Sequence, residues 1–383
     1  MSDHPRRRYD VLSIFVLTAV GALIAVPWYG LTHGYSGWHW LGFLIFMAWN
    51  GLSITAGYHL LWSHKSYEAH PVIRLVFALG GALAVQNSIL TWCSNHRTHH
   101  RYVDNESRDP YAATKGLWFS HMGWMLADYP ASSVTEDNVR DLAKDPIVAW
   151  QDKHYWTLSF SLNVLLTLAI GFLLGDALGG LLLMGFLRLF LCHHTTFFIN
   201  SLAHYWGNQP YSDESSARDN PVIALLTYGE GYHNYHHTFQ WDYRNGLRWY
   251  QFDPTKWLIG SLSWVRLTSN LKRVAPEKIE AKIAEMELKR ATAKLLTMPS
   301  IDAEELRHKL EEEYARLTGL LNDWARCRQE WLEMKRADLD AKRADLNAKW
   351  QKTELRLKLR ELEAGLDLQR HRWQMLTAQA QFV

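Results

Sequence analysis

The sequence predicts an all-α integral membrane protein with four transmembrane helices, a histidine-rich cytoplasmic cap and a long helical C-terminal extension. Three observations predict it. Apolar runs of about twenty residues, the length that crosses a bilayer core, occur in two pairs, at 11–30 with 38–57 and at 156–175 with 177–199. A five-residue stretch with three histidines occurs twice, as His96-Arg97-Thr98-His99-His100 and His233-Asn234-Tyr235-His236-His237. Beyond Pro276 the chain becomes densely charged and keeps a helical spacing of apolar residues. Two domains follow, at 1–275 and 276–383. The mean hydropathy of −0.23 hides this division, because an apolar first part and a charged last part cancel.

The first run follows Arg6-Arg7-Arg8, and the connection after it, 31–37, has no Lys or Arg and is flanked by Trp28, Tyr29, Trp38 and Trp40. Basic residues favour the cytoplasmic side and Trp and Tyr the interfaces. The arginines are therefore inside, the connection outside, and the second run returns the chain to deliver His59 and His64 at its inner end. The segment 72–90 is long and apolar enough for a crossing, but crossing would put His96, His99 and His100 on the far side from His59 and His64. It reads instead as an interfacial or partly buried helix, with a bend expected at Gly80-Gly81. Residues 95–155 are polar, with Pro110, Pro130 and Pro146, and read as a cytoplasmic loop region. The second hairpin turns at Gly175-Asp176, and Arg188 inside its second run needs protein partners, since a charge facing lipid is costly. Both termini and all histidine stretches fall on the cytoplasmic side.

On a helix the first and third histidines of each five-residue stretch share one face, while the middle one is rotated away, so one stretch serves two metals. Two shorter motifs accompany them: His59-Leu60-Leu61-Trp62-Ser63-His64, and Asn200 with His204 at i, i+4. Imidazole suits zinc, copper, iron and nickel alike. Cys93, Cys192 and Cys327 lie outside the histidine stretches, which argues against a structural zinc site and against an iron–sulfur centre. A net charge of +2 gives no electrostatic footprint for nucleic acid. His193 and His194, just before Asn200 and His204, are the main rivals for the ligand role, and read equally as residues supporting the ligands or walling a tunnel and as simple packing; His121 reads as a hydrogen-bonding residue.

These three boxes, together with Gly229-Glu230-Gly231-Tyr232 leading into the last, resemble the histidine boxes of membrane fatty acyl desaturases, the acyl-CoA delta-9 (stearoyl-CoA) branch in particular. The resemblance runs from about residue 10 to 273. It implies two irons bound by His59, His64, His96, His99, His100, His204, His233, His236 and His237, with Asn200 acting through water. It further implies an acyl-CoA substrate, O2 as oxidant and an external electron-donor protein, since the sequence carries no nucleotide fingerprint, four-cysteine set or cytochrome b5 haem motif. Gln86-Asn87 and Lys115 match the family's headgroup contacts, although Thr114 stands where the family keeps a second basic residue. Phe43 and Met47, four apart on the second run, fit the wall of an acyl tunnel and simple packing equally well. Acyl-lipid desaturation and di-iron hydroxylation are the neighbouring enzymatic readings. A membrane scaffold acting through the tail is the non-enzymatic one, and metal content with product analysis separates them.

In the tail, Leu306, Leu310, Leu317, Leu321, Trp324 and Trp331 form a helical stripe, broken by Arg328, Lys335 and Lys342. Residues 336–342 are echoed at 343–349. Two readings stand: a coiled coil that forms a homo-oligomer or docks a partner, and a charged helical hairpin folded on its own chain.

Overall fold

The computed structural model describes residues 5–134, 136–297, 301–340 and 346–382. They divide into two compact units, one built from 1–209 with 213–273 and the other from 210–212 with 274–383. Four helices of the first unit are long and apolar enough to cross a membrane: α1 (Tyr9–Thr32), α2 (Gly37–Ser63), α5 (Tyr155–Leu173) and α6 (Ala177–His204). Between the two hairpins stand α3 (Pro71–Leu83) and α4 (Ile89–Tyr102). The third histidine box lies on a short helix, α7 (His233–Thr238). Among the described residues the only sheet is a two-residue antiparallel pairing, Glu68–Ala69 with Thr268–Ser269, so the protein is all-α.

Apolar side chains are uncovered along α1, α2 and α5, as Leu17, Leu23 and Ile24, Leu41, Leu44 and Ile45, and Phe172 and Leu173 show. In water such exposure would be unfavourable; against lipid it is matched. The chain is an integral membrane protein. The turns of the two hairpins are tied together: Tyr29 donates to Asp176 Oδ1 at 2.8 Å, and the His39 ring meets the Asp176 carbonyl at 3.1 Å. Arg188 on α6 is fully buried and satisfied within the protein. It donates to the carbonyls of Met184 and Leu83, both at 2.9 Å, and to the side-chain oxygen of Asn163.

With 13 residues α3 rises about 20 Å, too short to cross a 30 Å hydrocarbon core. It ends where Val85 and Asn87 take positive φ (51° and 76°), and Ser88 then caps α4 by accepting from Thr91 N–H. The bend expected at Gly80-Gly81 is absent, since the helix runs through both. Close approach explains the glycines instead. A Cβ on Gly80 would lie 2.1 Å from Ser53 Oγ, and one on Gly81 2.1 Å from the Tyr58 ring. The core of this unit centres on the inner end of α2, where Ile54, Tyr58, Leu60 and Trp62 pack with Phe77, Ile89, Cys93 and Ile259.

The second unit holds α8 (Pro276–Leu296), α9 (Ile301–Asp340) and α10 (Leu346–Phe382). Leu306, Leu310, Leu317 and Leu321 are buried against Ala284, Ala291 and Leu295 of α8 and Leu366 and Trp373 of α10. The leucine stripe is thus used inside this unit. The charges that interrupt it are accommodated: Arg328 lies over the Trp324 ring and 3.4 Å from Glu277, and Lys335 lies over Trp331. Lys342 and much of the heptad echo lie outside the described residues.

Candidate metal centre

The inner end of α2 is wound more widely than an α-helix. From Ser53 to Ser63 it forms π-turns, and His64 N–H donates to the His59 carbonyl five residues back, at 3.1 Å. Five residues apart on an α-helix, two side chains point about 140° away from each other. The π-turn stacks them one above the other, with ring centroids 4.9 Å apart. A spacing of five, which helical periodicity does not favour for a shared ligand site, becomes one through this local winding.

Two groups of histidine nitrogens result. His59, His64, His96, His100 and His236 form one, and His99, His204, His233 and His237 the other; within each, one ligand atom per residue lies within 4.8 Å of all the others. All nine expected histidines are therefore brought together. The two boxes contribute in opposite senses. From α4, the i, i+4 pair His96 and His100 enters the five-histidine group and His99 the four-histidine group; from α7, His233 and His237 enter the latter and His236 the former. One helix face serving each group is the consequence of 3.6-residue periodicity.

The Nε2 atoms face inward. His59 and His236 Nε2 stand 2.9 Å apart, His64 and His96 2.8 Å, His236 and His100 3.0 Å, and His204 and His233 3.0 Å. Several Nδ1 atoms point outward to acceptors: His59 to Glu230 Oε1 at 3.0 Å, His99 to Asp109 Oδ1 at 2.9 Å, and His204 to Ser216 Oγ at 2.8 Å. A neutral ring whose Nδ1–H is given to a carboxylate presents its lone pair at Nε2. Burial first, then the neighbouring imidazoles, pushes His64, His96, His100, His233, His236 and His237 well below the ordinary histidine range. Crowded neutral imidazoles with converging lone pairs repel one another unless cations sit between them. The donor set therefore fits two metal ions, each held by nitrogen.

The centre opens on a cavity enclosing about 1360 Å³ of atom-free space, its open mouth included. His59, His96, His233, Asn200 and Glu230 line it together with apolar side chains such as Val11, Phe15, Ile54, Trp92, Phe197 and Ile199. Asn87 is on this wall, as is Gln86, whose amide donates to Thr196 Oγ1 at 2.9 Å. Phe43, Met47 and Lys115 are not on it. Phe43 is buried with Val26, Tyr29 and Leu182, Met47 packs at the edge of the core beneath the boxes, and Lys115 lies over the Phe119 and Tyr129 rings. His193 bonds the Ala84 carbonyl, and His194 bonds His121, so neither joins a histidine group. Sequence reasoning missed Asp109, Tyr111, Ser216 and the role of Glu230. The only signal was Glu230's place in the Gly229-Glu230-Gly231 lead-in to the third box.

The sequence model of the family described as fatty acid desaturase matches residues 37–262, which include all nine histidines. The chain belongs to the fatty acid desaturase family. It is 44% identical over 273 residues to acyl-CoA desaturase 1 of Saccharomyces cerevisiae, covering 70% of this chain and 53% of that protein. It is 42% identical over 286 residues to a probable acyl-CoA desaturase of Schizosaccharomyces pombe, covering 73% and 60%. With stearoyl-CoA desaturase 5 of Bos taurus it shares 36% over 284 residues, 73% of this chain and 82% of the other. The aligned part thus spans little more than half the length of the two fungal desaturases.

Proposed function

We propose that this desaturase uses O2 to insert a cis double bond, near carbon nine, into a saturated acyl chain carried on CoA. The observation that carries the reading is the cavity wall, in which His59, His96 and His233 take part both in the histidine groups and in an apolar pocket. The nine histidines are the ligands of two irons, and Asn200, which lines the same cavity as His233, acts through water. Bound iron supplies with O2 the oxidant that an unactivated methylene requires and that no side chain provides. The residues of this chain do the rest. Apolar cavity side chains such as Phe15, Ile54 and Phe197 bind the acyl chain and exclude water. Gln86 and Asn87 contact the CoA end, with Lys115 contributing charge outside the cavity. Electrons come from a separate donor protein.

Membranes containing the protein, supplied with reductant, an electron-donor system and stearoyl-CoA, are expected to yield a monounsaturated product. Hydroxy acid as the main product would replace this reading by hydroxylation, and conversion of intact phospholipid alone would overturn the CoA assignment.

The same reading places both termini and the metal centre on the cytoplasmic side. It is supported by the short α3, which does not carry the chain across, and by the meeting of His64 with His96. Reporters fused at Asn105 and at Asp213 are both expected to read cytoplasmic. Opposite signals from the two sites would overturn the topology.

A further inference from the structure

We propose that Glu230 and Asp109 each fix one histidine in a different half of the metal centre, so that each carboxylate sets the occupancy of one site and leaves the other unchanged. The proposal rests on the reading of the two histidine groups as iron sites. Glu230 is 2% exposed and its Oε1 lies 3.0 Å from Nδ1 of His59, a member of the five-histidine group. Asp109 is fully buried and its Oδ1 lies 2.9 Å from Nδ1 of His99, a member of the four-histidine group. Each group therefore has one directly attached carboxylate.

Other outward nitrogens reach no carboxylate directly. His204 meets the Ser216 hydroxyl at 2.8 Å, which donates in turn to Asp104 Oδ1 at 2.5 Å; His96 faces the Tyr111 hydroxyl at 3.3 Å; and Nδ1 of His236 has no partner among the described residues. A buried carboxylate does what these do not. It selects the Nδ1–H tautomer, turns the ring so that Nε2 points inward, and raises the basicity of that nitrogen toward a cation.

The two carboxylates are anchored differently. Asp109 is used on both oxygens, Oδ1 also accepting from Tyr111 N–H at 3.1 Å and Oδ2 from Asp104 N–H at 3.0 Å. Glu230 is bound through Oε1; its Oε2 is buried, has no partner among the described residues, and belongs to a side chain on the cavity wall. Glu230 is thus a positioning residue held in place chiefly by the histidine it serves.

The test uses the full chain, purified in detergent, loaded anaerobically with Fe(II) and titrated with a chelator. The unaltered protein is expected to hold two metals. Glu230→Gln is expected to weaken one of them about 10–100-fold and leave the other as before, and Asp109→Asn to do the same to the opposite site. Pairing identifies the site. Under chelator that strips the weakened site, Glu230→Gln combined with His64→Ala is expected to retain one metal, whereas Glu230→Gln combined with His233→Ala retains none. Glu230→Asp, which keeps the charge, is expected to hold the metal of the five-histidine group more tightly than Glu230→Gln and the other metal equally, separating this role from a loss of folding. Two tightly held metals in Glu230→Gln, or equal weakening of both sites by either single change, would overturn the proposal. Absence of metal from the unaltered protein would instead overturn the reading of the two groups as iron sites.

Discussion

Replacing His236 or His99 by Ala is expected to abolish desaturation while the protein still inserts in the membrane. His236 Nε2 stands 2.9 Å from His59 Nε2 and 3.0 Å from His100 Nε2, at the middle of the five-histidine group. His99 Nε2 meets His237 Nε2 at 3.4 Å in the other group. Losing a partner behind a ligand costs about 10–100-fold, so losing the ligand itself lowers the rate by more than that. The two changes strike different groups, and each is expected to lower bound iron from two per chain toward one. Both histidines are buried and outside the four spans, so the lipid-facing surface is unaltered. Product analysis, iron content and membrane fractionation of the same preparations check this. Full activity with either histidine removed would show that the group does not act as a ligand set.

The second large effect is expected at a residue that is not itself a ligand. Gly81→Ala places a methyl 2.1 Å from Cε1 and 2.6 Å from the hydroxyl of Tyr58, a fully buried ring whose hydroxyl accepts from Gln151 Nε2 at 2.7 Å. Neither the ring nor the helix backbone can yield cheaply, and overpacking of this kind costs roughly 1–3 kcal/mol. Activity is expected to fall further than stability, because Tyr58 immediately precedes His59 in the π-wound stretch. A displacement near 1 Å can lower a rate about 100-fold. Gly260→Ala is the control: nothing lies within 4 Å of its added carbon, and a helical Gly→Ala change that meets no neighbour gains about 0.5–1 kcal/mol. Thermal unfolding and turnover of the two variants measure the difference. A Gly81→Ala protein with unaltered unfolding temperature and rate would refute the account of this contact.

The spanning helices were legible because membrane crossing is a local property: length and apolarity are counted along the chain, and lipid imposes them whatever packs alongside. The same holds for the pairing of His96 with His100 and of His233 with His237, which 3.6-residue periodicity places on one face. Other features were beyond local reading. Gly80-Gly81 looks like a bend in the sequence, because the side chains that exclude a Cβ there, Ser53 and Tyr58, belong to another helix. Phe43 and Met47 have helical spacing compatible with a tunnel wall, but spacing does not say which face meets which neighbour, and this cavity is lined by other residues. The leucine stripe of α9 serves intramolecular packing or association equally well on paper; the apolar faces of α8 and α10 are what cover it.

The sequence alone determined which residues were available: four membrane spans, nine histidines in three boxes and a neighbouring fourth motif, and a separate charged helical tail. The tertiary structure decided how the histidines divide into groups of five and four, which carboxylate stands behind which ring, and that His59 and His64 face the same way. Periodicity fixes directions only within one element. Distances between elements follow from packing, here from the close seating of α3 on a π-wound α2, and it is those distances that bring nitrogens from four separate segments near enough to share an ion.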